Sequence, residues 1–124
     1  MTMVDYSFPA AARLKGTKDY DRVYRRGFRL WSHPLGVQVL PRESGKSRLG
    51  LSVSKKVGSS VVRNRWKRAI REAFRLHRHR LEAPCDMVVM VNWDADREEV
   101  EEVEGAFRGI IEELNDRFEH GEGK

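Results

Sequence analysis

The chain has 124 residues, 40% of them hydrophobic and 35% charged, with a formal net charge of +5. That length suits one domain able to bury its own core, and the apolar fraction is too high for a disordered chain. A single cysteine, Cys85, excludes an internal disulfide and a thiolate zinc cage and agrees with a reducing, cytoplasmic setting.

In chain order, Met1 to Ala12 lacks the basic patch and apolar stretch of a secretory signal. Thr17 to Arg26 reads as a short helix, with Thr17 as cap, Asp19 and Asp21 at its positive end and Gly27 as its stop. Tyr20, Val23 and Tyr24 share one stripe of it. Phe28 to Ser32 forms a short strand before His33-Pro34. Leu35, Val37 and Val39 alternate up to Pro41, and Leu49, Leu51 and Val53 alternate after a polar turn over Arg42 to Ser47. The other face of these strands holds Gly36, Gln38, Gly50 and Ser52, which leaves room for something to approach. A basic glycine-bearing loop, Lys55 to Ser60, opens a long helix from about Val61 to Arg80, capped by Ser59 or Ser60. Asp86 to Asn92 is a continuous apolar run, the mark of a strand buried on both faces. Asp94 or Asp96 then caps a last helix to about Phe118, whose apolar stripe is Val100, Val103, Phe107, Ile110, Ile111 and Leu114.

The order α-β-β-β-α-β-α predicts an α+β, two-layer sandwich with a four-stranded sheet. One domain over 1–124 is expected, ordered over about 8–118, with flexible tails at 1–7 and 119–124. No run approaches the roughly 18 apolar residues of a membrane span.

Charge divides the chain. Arg13 to Arg80 holds 20 Lys/Arg against 4 acids, while Leu81 to Lys124 holds 4 against 14. The first block generates a strong positive field whose natural partner is a polyanion, nucleic acid before an anionic membrane. Stepping 100° per residue along the central helix puts Val62, Trp66, Ala69, Ile70, Ala73 and Phe74 on one arc. Asn64, Arg65, Lys67, Arg68, Arg71, Arg75 and Arg78 fall on the other, with Arg63 at the border. Ordinary surface helices mix signs at i, i+4; here Glu72 is the one acid between Arg63 and Arg80. One side docks on the sheet, and the other offers phosphates a field of planar donors. Phe8, Tyr20 and Tyr24 are candidates for stacking on unpaired bases, although by pattern alone Tyr20 and Tyr24 fit slightly better as core of the first helix.

Protein-borne catalysis finds no support. There is no Gly-rich nucleotide loop, no H-E-x-x-H and no defensible Ser/His/Asp set. His77 and His79, at i, i+2, point to opposite sides of a helix. No metal ligands are assignable.

The runs Ser52-Val53-Ser54-Lys55-Lys56-Val57-Gly58, Val61 to Arg68 and Ile70 to Arg75 closely resemble the bacterial ribonuclease P protein family, with its Arg-Asn-Arg motif at Arg63, Asn64 and Arg65. Phe8, Arg13-Leu14-Lys15 and Tyr20 to Gly27 are similar to that family's N-terminal segment, so the likeness runs from Phe8 to Phe118. It implies a ribosomal-protein-like sandwich with a left-handed βαβ crossover, against the general preference for right-handed connections. It also implies an enzyme component without its own active site: the catalytic RNA of ribonuclease P holds the Mg2+ and hydrolyses precursor tRNA to release its 5′ leader. Arg63, Asn64, Arg65, Lys67, Arg68, Arg71 and Arg75 would face that RNA, with Lys55 and Lys56 beside them. Phe8, Arg13, Tyr20, Tyr24 and Gln38 would belong to the leader cleft between the first helix and the open sheet face. The partners are then one catalytic RNA per protein and precursor tRNA, with no membrane. Two departures stand out: Trp66 replaces an aliphatic residue, and Gln38 stands where some members carry an aromatic. The rival readings are a structural RNA-binding module, such as a ribosomal protein, and an autonomous nuclease, which the missing carboxylate cluster disfavours.

Overall fold

The computed structural model describes residues 8–119. Three α-helices, α1 (Gly16–Arg26), α2 (Ser60–His77) and α3 (Val103–Glu119), surround four strands: β1 (Phe28–Ser32), β2 (Leu35–Pro41), β3 (Arg48–Ser52) and β4 (Cys85–Val91). The sheet order is β1-β2-β4-β3. β1 and β4 flank β2 antiparallel, while β3 runs parallel to β4, so α2 is the crossover between them. The α+β sandwich and its element order stand as the sequence predicts.

Strand alternation puts Leu30, Leu35, Val37, Val39, Leu49, Met87 and Val89 on one face, where Trp66, Ile70, Phe74, Phe107, Ile110, Ile111 and Leu114 cover them. The reverse face is covered at one end only. There Val23 of α1 and Leu14 pack on Val88, with Tyr20 and Leu40 at the margin. β4 is thus apolar on both sides because it lies inside the sheet between two helical layers.

Several local expectations change. α1 begins at Gly16, at φ +69°, and Thr17 does not cap it. The Asp19 carboxylate does that work, accepting the Lys15 backbone N–H at 2.9 Å. β3 stops at Ser52, so Val53 lies beyond the strand. α2 tightens into a 3₁₀ turn at Arg78–Arg80, and another 3₁₀ segment, Arg97–Glu102, precedes α3. Asp96, rather than Asp94, marks that start: Glu99 accepts the Asp96 N–H at 3.0 Å. Glu119 closes α3; the remaining expected tail positions, 1–7 and 120–124, lie outside the described residues.

Two contacts tie distant segments together. Arg13 bridges to Leu49, and the Leu14 N–H donates to the Leu49 carbonyl at 2.9 Å, covering part of the outer edge of β3. At the same end, buried Asp86 of β4 accepts both arms of Arg48, at 2.8 and 2.7 Å, with Arg42 Nε 3.7 Å away. The bidentate bond and the opposite charge raise the Arg48 pKa further.

Candidate nucleic-acid interface

The basic loop sets the start of α2. Ser54 Oγ accepts the Lys56 N–H at 3.2 Å and holds Lys55–Val57 as a 3₁₀ turn. Gly58 follows at φ +156°, ψ −167°, a conformation that glycine alone adopts readily. A Cβ there would stand 2.9 Å from Val62 Cγ1. Ser59 then caps the helix through the Val62 N–H at 3.4 Å. The result is a cationic turn feeding directly into a cationic helix.

Trp66, Ile70, Ala73, Phe74 and His77 are the buried residues of α2. Asn64, Arg65, Arg68 and Arg71 are exposed, as are Lys55 and Lys56. Lys67 is half-buried at the margin. Arg63, also half-buried, donates from Nε to the Gly58 carbonyl at 3.3 Å, which anchors the loop. Arg75 differs: its guanidinium is paired with Glu72, through Nε at 3.1 Å and a second, shorter contact. That pair lowers the Glu72 pKa and raises that of Arg75. Among the described residues, no carboxylate comes within ion-pair distance of Lys55, Lys56, Arg63, Arg65, Lys67, Arg68 or Arg71. The described part of the acidic third leaves this surface uncompensated. On the other side of α2, His77 Nε2 lies 3.1 Å from Glu104 Oε1 of α3.

A groove of about 270 Å³ opens beside this helix. Phe8, Arg13, Tyr20, Lys67 and Arg71 line it, with the Gly50 and Leu51 stretch of β3 as floor. Phe8 meets Phe74 edge-on at 5.5 Å, and the Arg13 guanidinium lies 4.4 Å from the Phe8 ring centre. Tyr20 serves two ends. Its hydroxyl accepts the Leu51 N–H at 3.0 Å, and its ring rests on Gly50, where a Cβ would fall 2.8 Å from Cζ. It is therefore a pinned structural residue that still lines the groove. The groove draws together residues the sequence assigns to two different jobs: Lys67 and Arg71 from the helix, Phe8, Arg13 and Tyr20 from the N-terminal segment.

Two candidates lie elsewhere. Tyr24 is 39% exposed on α1. Gln38 is buried on the reverse sheet face, and its Oε1 accepts Arg29 Nε at 3.2 Å. Sequence reasoning passed over Arg29 and Trp31 on that same face. Their signal is parity: Phe28 and Leu30 alternate inward, which sends both outward beside Gly36 and Gln38.

Residues 8–115 match the family model for ribonuclease P. This chain belongs to the ribonuclease P protein family. A ribonuclease P protein component from Dictyoglomus turgidum is 43% identical over 86 residues, 69% of this chain and 72% of its own. One from Staphylococcus haemolyticus is 35% identical over 101 residues, 82% of this chain and 88% of its own. Among solved structures, the ribonuclease P protein of Staphylococcus aureus superposes with a TM-score of 0.72 at 28% identity, covering 88% of this chain and 93% of that one. That of Thermotoga maritima gives 0.60 at 29% identity, covering 82% and 90%. As a member of the ribonuclease P protein family, the chain is the protein component of that ribonucleoprotein. Its partner is the ribonuclease P RNA, and its task lies in processing tRNA 5′ ends.

Proposed function

We propose that this chain binds the catalytic RNA of ribonuclease P through the exposed side of α2 and grips the 5′ leader of precursor tRNA in the adjoining groove. The observation that carries this reading is the run of seven cations without carboxylate partners among the described residues, bordering a groove that also presents aromatic rings. Arg65, Arg68 and Arg71 meet phosphates with forked donors. Lys55 and Lys56 extend the same field, and Asn64 adds a neutral donor and acceptor pair. Arg75, tied to Glu72, contributes less unless that pair exchanges.

The protein's part in the reaction is electrostatic and positional. It screens repulsion between two RNAs and adds contacts outside the tRNA body, so affinity falls steeply with salt. Position also separates substrate from product, because mature tRNA has no leader for Phe8, Arg13, Tyr20, Tyr24 or the Gln38 face to hold. Hydrolysis of the phosphodiester, with Mg2+ held mainly by the RNA, belongs to the RNA subunit in this reading. Among the described residues, no group of three or more His, Cys, Asp or Glu comes together. No helix among them is long and apolar enough to cross a membrane. One protein per RNA, working in the cytoplasm, completes the proposal.

The test is reconstitution. Protein, ribonuclease P RNA and precursor tRNA are mixed at low magnesium, and leader release is followed. Release that requires both components supports the proposal. RNA binding without any stimulation favours a structural RNA-binding module. Release by protein alone marks a nuclease.

A further inference from the structure

Across the reverse face of the sheet, two cross-strand rows follow from the register. Gly50, Val88, Gln38 and Arg29 form one; Ser52, Met90, Gly36 and Trp31 form the next. Tyr20 and Val23 cover the β3–β4 end of the first row. The second row is open: Ser52 is exposed, Met90 half-buried, and Trp31 is 58% exposed at the β1 edge. We infer that Trp31 is a base-stacking residue for single-stranded RNA, and that it extends the leader path from Tyr20 at β3 across the sheet to β1.

This rests on the leader reading above and adds a residue to it. Three details separate Trp31 from an incidental surface aromatic. Its ring lies directly against the Gly36 backbone, where a Cβ would stand 2.5 Å from Cζ3. Glycine at that position is what lets the ring settle. The Arg29 guanidinium carbon lies 5.4 Å from the ring centre, while Arg29 Nε is held by Gln38. The ring is thus flanked by a fixed positive charge where a phosphate would pass. Arg29 is itself exposed, so the charge beside the ring favours a polyanion over a protein partner. A base has a π-face whatever its sequence, so such a platform reads leader length rather than leader sequence. Three strand spacings separate β3 from β1, about 14 Å. Short leaders stop at Tyr20, and only longer ones arrive at Trp31.

The experiment uses protein reconstituted with ribonuclease P RNA and precursor tRNAs whose leaders grow one nucleotide at a time. Wild type should show affinity rising with leader length. Trp31→Ala should match it for the shortest leaders and bind the long ones weaker by on the order of tenfold. Trp31→Phe should recover most of that step. Gly36→Ala, which displaces the ring without removing it, should lose the same step. The inference is overturned if the Trp31→Ala and wild-type curves coincide at every length. It is equally overturned if Trp31→Ala only converts a self-associated protein to monomer in sedimentation. A wild-type protein indifferent to leader length would instead sink the leader reading, and this inference with it.

Discussion

α2 and α3 pack against the same sheet face and each other, and both are two-sided helices built on the same rule. Trp66, Ile70 and Phe74 of one match Phe107, Ile110 and Leu114 of the other in complete or near-complete burial. Their outward sides are opposite in charge: Arg65 and Arg68 against Glu104, Glu112 and Glu113. The buried stripes specify the fold and are interchangeable in kind. The outward residues contribute little of the apolar burial that holds the fold, so their sign is free to follow the partner. The acids also make the protein directional. A positive field on one helix beside a negative one gives RNA a single approach, which an evenly basic surface would not.

The strongest test of the shared rule is in the core. Phe74→Ala and Phe107→Ala should each cost about 3–5 kcal/mol of stability in denaturant unfolding, because each ring is fully buried and the two meet edge-on at 6.2 Å. Phe74 should differ in one respect. It carries Phe8, so its loss should also weaken RNA binding in variants that remain folded. Equal loss of RNA binding by both variants would erase the distinction between the helices.

The outward sides should then part completely. Changing Arg65 and Arg68 together to Ala should reduce affinity for ribonuclease P RNA by about tenfold or more, and lower its salt slope by about two. Thermal stability should move little, since neither side chain is buried. Changing Glu112 and Glu113 to Ala should leave that slope unchanged and at most raise affinity slightly. The Glu113–Arg117 pair, at 3.7 Å on the surface, contributes well under about 1 kcal/mol. An unaltered slope after the arginine changes would mean these residues meet no phosphate.

This contrast was legible in the sequence, because a helical period of 3.6 residues sorts α2 and α3 without knowledge of their neighbours. Strand alternation was equally plain in β2 and β3. What escaped depends on contacts between segments far apart in the chain. The stripe of Tyr20, Val23 and Tyr24 shows that α1 buries one side, but not that it lies on the reverse face of the sheet. Arg48 and Asp86 are 38 positions apart, and nothing local marks them as a pair. Tyr20 reads in the sequence as core or as base-stacking; its bond to Leu51 gives it a structural role, and the same ring also lines the groove. Lys67 and Arg71 fall at roughly 40° and 80° on the helical wheel, next to Phe74. Their border position is why they turn into the groove while Arg65 and Arg68 face outward. Trp66 fits as core, though its indole N–H is buried without a partner among the described residues.

The last expected effect is confined to alkaline pH and lies at the join between the two charge blocks. Cys85, fully buried at the start of β4, has its thiol pKa pushed up to about 12 by burial, against a bond from Ser47 that lowers it, with neighbouring Asp86 adding to the rise. A thiol whose folded pKa lies above its unfolded one of about 8.5 favours folding only while both states are protonated. Its contribution is complete below about pH 8.5 and is lost as pH climbs towards 12, at on the order of 1 kcal/mol per pH unit. Wild type and Cys85→Ala should therefore differ by a constant amount from pH 6 to about pH 8, then converge in alkali. Denaturant unfolding of both proteins across that range measures the difference directly. The thiol should also resist alkylation at pH 8 until the protein unfolds. Rapid labelling of the native protein would show that the β4 end opens, and that the Arg48–Asp86 clamp beside it does not hold the two charge blocks together.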